Sequence, residues 1–148
     1  MPNYVDALNA LKNCLAPNGI MIHSCPNYNF PYEPHFGLPI IKSAPKLTTF
    51  FFAKRIEKMT DVWKSLNFIS ASDIKSYCAQ AGLEVEFDQN IVLKTLSRLK
   101  SDPLFIERHK KLGSLILSLE KTGLFKLLNK LPASVLSPMT FKIRNPKN

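Results

Sequence analysis

The sequence predicts a mixed α/β fold, and three stretches predict it. Tyr4 to Cys25 reads as helix, tight turn and apolar strand. Ser70 to Asp88 reads as capped helix, glycine stop and alternating strand, and Pro138 to Arg144 alternates apolar with polar residues. Helices and strands following one another in this order build a sheet flanked by helices. A chain of 148 residues is one domain's worth, and such a chain closing on itself buries about 70% of its unfolded surface.

The first helix, Tyr4 to Leu15, rests on Tyr4, Leu8, Leu11 and Leu15, spaced four, three and four apart, with Val5 and Ala7 beside them. Asp6, Asn9, Lys12 and Asn13 form the opposite face. Pro17 and Gly19 stop it, Gly19 being free to take a positive φ and turn the chain into Ile20 to Cys25. That run, IMIHSC, is too short for a membrane span and is bounded by Gly and Pro, which predicts a buried strand with His23 as a satisfied core histidine. The following loop is dense in ligand-touching groups, namely Asn27, Tyr28, Asn29, Tyr32, Glu33 and His35. Pro26, Pro31, Pro34 and Pro39 brace it, each fixing its own φ and restricting the residue before it. Polar loops at the carboxyl ends of strands are where open α/β sheets place their ligands.

After a proline-bearing loop, two short helices are expected, Thr49 to Lys58 and Asp61 to Leu66. Phe50, Phe51 and Phe52 in succession cannot share one helical face, so at least one meets another element or a ligand. Core packing and a lid over the polar loop are the two readings of this segment, and Trp63 is read as a core anchor. Ser70 with Asp73 three residues on is a capping box in which Asp replaces the usual Glu or Gln. Gly82 lies past the helix end, and Ile74, Tyr77, Cys78 and Ala81 make the buried face. Leu83 to Asp88, LEVEFD, alternates as a strand with one face in solvent.

Asn90 to Pro132 is predicted helical from the stripe Val92, Leu93, Leu96 and Leu99 and, after Pro103, from Leu112, Leu115, Ile116 and Leu119. Beyond Gly123, Leu124, Leu127, Leu128 and Leu131 stand opposite Lys126 and Lys130. Helices packing on a sheet give that pattern first, and an anionic membrane surface second. His109 falls in this basic region and is expected to be exposed.

Composition excludes several classes. Hydrophobic content of 45% with 21% charged residues is that of a globular chain, and no apolar run nears the roughly 18 residues of a spanning helix. Met1 to Ala10 carries Asp6 and no basic residue, unlike a secretory leader, so a cytoplasmic protein is expected, membrane-peripheral if the leucine and lysine stripe meets lipid. Cys14, Cys25 and Cys78 form no C-x-x-C and have no histidine pair beside them. They are read as reduced and structural, with no metal site, Cys25 being the one thiol at a strand end. The net charge of +9 is lopsided: eight Lys plus Arg against eight Asp plus Glu through Asp88, then twelve against three. A basic half suits either an anionic partner or a solvated helix face. No aromatic-and-basic RNA signature or helix-turn-helix spacing supports nucleic acid.

The succession of helix, CLAPNG at Cys14 to Gly19, apolar strand, Pro26-Asn27, and PYEPHFGLP at Pro31 to Pro39 resembles the second half of a class I S-adenosylmethionine-dependent methyltransferase. The resemblance implies the C-terminal half of a Rossmann-like fold. Ile20 to Cys25, Leu83 to Asp88 and Met139 to Arg144 stand as its fifth, sixth and seventh strands, the seventh antiparallel between the other two. It divides a single partial domain into a helix and strand over 4–25, a substrate loop and lid over 26–69, a helix and strand over 70–88, an additional helical insert over 90–132 and a final strand over 138–144. It also implies methyl transfer from S-adenosylmethionine to a small-molecule or sugar- or lipid-linked acceptor. His35 is then the candidate base, because imidazole titrates near neutrality. Glu33 orients His35 or binds the acceptor, and Pro26, Asn27, Tyr28 and Tyr32 surround the acceptor. The other readings are that Glu33 and His35 only hold the loop in shape, and that the chain is an inactive fragment or a basic binding module.

The family grips its cofactor with a glycine-rich loop after the first strand and an acidic residue ending the second. Gly19, Gly37, Gly82, Gly113 and Gly123 form no G-x-G, so no cofactor-binding residue is assigned here. The fourth strand of the family would pair with Ile20 to Cys25. Without it that edge is open to an N-terminal half or to a second copy, and the chain is expected to be poorly soluble or associated.

Overall fold

The computed structural model describes residues 3–33, 35–108, 118, 121–123 and 130–146. Helix α1, Tyr4–Asn13, starts at Asn3, whose side-chain oxygen accepts the Val5 N–H at 3.1 Å. It ends two residues before the expected stop. The N–H groups of Cys14 and Leu15 bond the carbonyls of Leu11 and Lys12, tightening the last turn. The positive φ that turns the chain belongs to Asn18, at 58°, and not to Gly19. Gly19 is needed for a different reason: a Cβ there would lie 2.7 Å from the Ala16 carbonyl oxygen.

The chain then enters β1, Ile20–Cys25, which joins β4, Glu84–Phe87, and β5, Met139–Arg144, in a sheet of order β1-β5-β4. β5 runs antiparallel to both neighbours, with Phe141 opposite His23 on one side and Phe87 on the other, so β1 and β4 are parallel to each other. Helices α1 and α4, Ala71–Ala81, pack on one face of this sheet. Met139, Phe141 and Ile143 of β5 are buried there with Leu8, Ile74 and Cys78. Each such side chain contributes about 1.5–3 kcal/mol by leaving water, so the middle strand, which buries three, is the core of the molecule. Lys12 donates to the Ala81 carbonyl and the Tyr77 hydroxyl to Asn9 Oδ1, tying α1 to α4.

The other face of the sheet corrects an expectation. β1 was expected to be buried, yet Ile22 is 69% and Ile20 48% exposed. Side chains alternate across a strand, and α1 and α4 cover only the face holding Met21 and Cys25. On the bare face Lys142 pairs with Glu86 at 2.6 Å and Thr140 donates to Ser24 at 3.0 Å. β1 is hydrogen-bonded only to β5 among the described residues, so its other edge is open. His23 is also corrected. Its Nε2 is buried without a hydrogen-bond partner among the described residues, beside the Phe141 ring, and burial holds the imidazole below its ordinary pKa.

Helix α4 carries the punctuation read from the sequence. Ser70 Oγ accepts the Asp73 N–H, Asp73 Oδ2 accepts the Ser70 N–H at 2.8 Å, and Gly82 takes φ 68°. Lys42 joins this cap, donating to Ser70 Oγ at 2.7 Å and pairing with the Asp73 carboxylate. Burial pushes the Asp73 carboxyl up, and the hydrogen bonds from Lys42 and Ser70 with the Lys42 charge outweigh it, leaving the group below the ordinary carboxylate value. A carboxyl that is more acidic in the folded state stabilises the fold above its unfolded pKa, and that contribution disappears as pH falls through the folded one. Asp73→Asn is therefore expected to cost about 1–2 kcal/mol at neutral pH. The difference should shrink toward zero in acid, which melting curves of both proteins across pH would measure.

The helix expected at Thr49 to Lys58 is instead α2, Pro45–Ile56, followed by a 3-10 turn over Glu57–Met59 and by α3, Thr60–Ser65. Pro45 lies not in the preceding loop, as the sequence suggests, but in the first helical turn, where its missing N–H costs nothing. The three phenylalanines divide as expected. Phe52 kinks the helix at φ −122° and packs inward, while Phe50 and Phe51 stay exposed.

Of the region 90–132, α5 spans Ile91–Ser101 and α6 Pro103–Arg108. His109, Leu112, Leu115, Ile116, Leu119 and the stripe Leu124, Lys126, Leu127 and Leu128 lie outside the described residues. Among the described residues no helix is long and apolar enough to cross a membrane.

Candidate functional site

The loop after β1 folds into a hairpin of two short strands, β2, Tyr32–Glu33, and β3, Leu38–Pro39. Gly37 closes its turn at φ 60°. Phe36 and Leu38 anchor the hairpin in a second apolar cluster with Ile56, Phe52, Val62, Trp63 and Leu66. Aromatic edges continue it: Trp63 meets Phe36 at 5.4 Å and Phe68 at 5.5 Å, and Phe68 meets Tyr28 at 5.1 Å between ring centres. The segment after the hairpin thus packs beside it.

Glu33 is completely buried in this hairpin. One oxygen, Oε2, accepts the Phe36 N–H at 2.7 Å and shapes the turn. The other, Oε1, meets His35 Nδ1 at 2.7 Å and accepts the Tyr28 hydroxyl at 3.2 Å. Three donors offset the cost of a buried carboxyl group. A carboxylate only accepts hydrogen bonds, so against an ionised Glu33 the donor of this contact is His35 Nδ1. The His35 side chain is 52% exposed. Burial first and the Glu33 charge second push the Tyr28 phenol well above its ordinary pKa, so it stays a donor.

His35 borders two cavities. The inner one, about 240 Å³, lies at the carboxyl end of β1 and is lined by Cys25, Pro26, Tyr28, His35, Val62, Ser65, Leu66, Asn67, Phe68 and Ile69. The outer one, about 540 Å³, is lined by His35, Phe36, Lys54, Arg55, Lys58 and Met59. A neutral imidazole beside an apolar cavity can take a proton from a hydroxyl or amine held there. Burial pushes the Cys25 thiol up to about 11, away from the thiolate a nucleophile needs. A larger cavity of about 590 Å³ lies on the bare sheet face around Ile22, Thr140 and Lys142 and shares no residue with these two.

Of the residues expected at the site, His35, Glu33, Tyr28 and Pro26 come together. Tyr32 is exposed and lines neither cavity beside His35. Asn27, expected to touch an acceptor, has no polar atom to spare. Its amide donates to the Ser134 and Leu136 carbonyls at 2.8 and 2.9 Å, and its oxygen accepts the N–H groups of Asn29 and Ala71 at 3.1 and 3.2 Å. It is fully buried and staples the loop to the start of α4 and to the segment before β5. The apolar wall from Val62 to Ile69 and the cations of the outer cavity were not read as site residues. Lys54, Arg55 and Lys58 were legible only as part of an even charge balance. Among the described residues no cluster of His, Cys, Asp and Glu is placed to hold a metal ion.

No family model and no solved structure matches the chain. Curated relatives do match, in Mycobacterium tuberculosis: uncharacterized protein Rv1509 of strain H37Rv and uncharacterized protein MT1557 of strain CDC 1551. Each is 30% identical over 146 residues, covering 93% of this chain and 50% of the relative. The chain spans about half the length of the curated relatives it matches.

Proposed function

We propose that this chain is the acceptor-side portion of a class I S-adenosylmethionine-dependent methyltransferase, acting on a small-molecule or sugar- or lipid-linked acceptor. The sheet order carries the reading: β5 runs antiparallel between β1 and β4, which are parallel to each other. That arrangement is what the resemblance assigns to the seventh, fifth and sixth strands of a Rossmann-like methyltransferase half. The candidate base then lies on the loop leaving the fifth strand, where open α/β sheets bind ligands.

The described residues do not fit the cofactor. They hold no glycine-rich strand-to-helix loop, and the cavities beside His35 are lined by Tyr28, Ser65, Asn67, Cys25, cations and apolar groups, with no carboxylate to hold a ribose. S-adenosylmethionine would supply an activated methyl group from elements outside those described. The open edge of β1 offers the place for those elements to pair. On this side Glu33 orients His35, His35 Nε2 takes the acceptor's proton, and Val62, Leu66, Phe68 and Ile69 hold the acceptor's apolar part beside it.

Calorimetric titration tests the reading. Full-length Rv1509 is expected to bind S-adenosylmethionine, and the 148-residue chain alone to give no heat with it. Absence of binding by the full-length relative would sink the methyltransferase reading. Tight binding by the isolated chain would overturn the assignment of the cofactor to other elements.

A further inference from the structure

Four basic side chains elsewhere on the molecule meet carboxylates, Lys42 with Asp73, Lys94 with Asp88, Arg98 with Asp102 and Lys142 with Glu86, while Lys12 donates to the Ala81 carbonyl and Lys75 lies over the Phe87 ring. Lys54, Arg55 and Lys58 have no such partner among the described residues, although Glu57 lies beside them in sequence. The three converge instead on the outer cavity beside His35, with Phe36 and Met59 as apolar wall and no carboxylate in its lining. The Arg55 guanidinium lies against Gly37, where a Cβ would stand 3.2 Å from Nη2. Glycine at the turn therefore does two things, taking φ 60° and letting the guanidinium approach the backbone.

Three unpaired cations in a concavity are matched by a group of more than one negative charge. A phosphate monoester carries about −1.5 to −2 at neutral pH, and a guanidinium binds its oxygens in bidentate fashion. The apolar wall suits an organic body attached to that phosphate. We infer that the outer cavity binds a phosphate ester, with Arg55 as the bidentate contact and Lys54 and Lys58 completing the charge balance. Binding itself stands apart from methyl transfer. Its meaning as the anionic end of the acceptor, with the group to be methylated lying toward His35, rests on the function proposed above. The phosphate can be that of a soluble ester or of a lipid headgroup, since Phe50 and Phe51, 78% and 72% exposed, precede Lys54 on α2.

The test titrates the chain with phenyl phosphate and, separately, sediments it with phosphatidylcholine vesicles with and without phosphatidic acid. Arg55→Ala, Arg55→Lys and the double variant Lys54→Ala/Lys58→Ala are run beside it at two salt concentrations. The expected result is salt-sensitive binding that weakens at least about tenfold in Arg55→Ala and only partly recovers in Arg55→Lys, which keeps the charge but loses the fork. Binding of phenyl phosphate identifies a soluble ester, and binding to phosphatidic acid vesicles alone identifies a headgroup; either supports the site. All three residues are exposed, so the variants should melt like the parent. No binding of either probe, or binding unchanged by both variants, overturns the proposal. Anion binding without S-adenosylmethionine binding by the full-length relative would remove the methyltransferase reading and leave this site standing.

Discussion

Asn27→Ala is expected to cost about 3–4 kcal/mol of folding stability, a large share of the 5–15 kcal/mol that holds a typical domain. The side chain makes four hydrogen bonds from a fully buried position, two as donor and two as acceptor. Removing it strands the Leu136 carbonyl and the first N–H of α4 and leaves the Ser134 carbonyl with the Asn29 amide alone, and each buried polar group left unpaired costs about 1–3 kcal/mol before water or relaxation recovers part of it. Asn27→Asp separates this explanation from simple cavity formation. Aspartate has the same shape but turns two donors into acceptors facing two carbonyls, so it should destabilise at least as much as alanine. Urea denaturation measures both, with a lowered midpoint and an unchanged slope as the signature of lost stability. An aspartate variant as stable as the parent would show that the amide's donors do not hold the loop.

The same residue shows where reading the sequence stops. Asn27 invited a ligand because it follows a strand and sits among prolines. Its partners Ser134 and Leu136 lie 107 and 109 residues away, and no local pattern announces them. Local signals fared better. Ser70, Asp73 and Gly82 mark α4 because capping is settled within one turn of helix, and the alternation of Met139, Phe141 and Ile143 marks β5 because its inner face is wholly buried. β1 reads less well. Six apolar and small residues look the same whether covered on both faces or one, so the exposure of Ile22 was not legible. Pro45 was misassigned because proline stops a helix and starts one equally well. At the site, Glu33 and His35 were legible as a pair two residues apart, whereas the concavity that gathers Lys54, Arg55 and Lys58 beside them depends on how α2 packs under Phe36.

His35→Gln and Glu33→Gln are expected to part company, and the difference decides between a reacting pair and a brace. If His35 Nε2 removes the acceptor's proton, His35→Gln should lower the methyl-transfer rate of the assembled enzyme by about 10²- to 10⁴-fold. Its ring is half exposed, but Nδ1 is one of the three donors to the buried Glu33 carboxyl group, so the variant should also lose about 1–2 kcal/mol, and its rate is read per folded molecule. Glu33→Gln acts on both. The amide brings a donor to a buried place where three donors already converge, which should cost about 2–3 kcal/mol and release the imidazole tautomer as well. Nitrogen-15 spectra of the His35 ring read that second effect without any activity, with Nδ1 protonated in the parent and the two tautomers mixed in Glu33→Gln. A purely bracing pair gives the opposite pattern: His35→Gln leaves the rate intact, and Glu33→Gln loses activity only in proportion to the protein it unfolds. Because Glu33 spends one oxygen on the Phe36 N–H and the other on Tyr28 and His35, the residue that builds the turn also aims the imidazole. A rate loss in His35→Gln that exceeds its loss of folded protein is the one outcome that bracing alone does not produce.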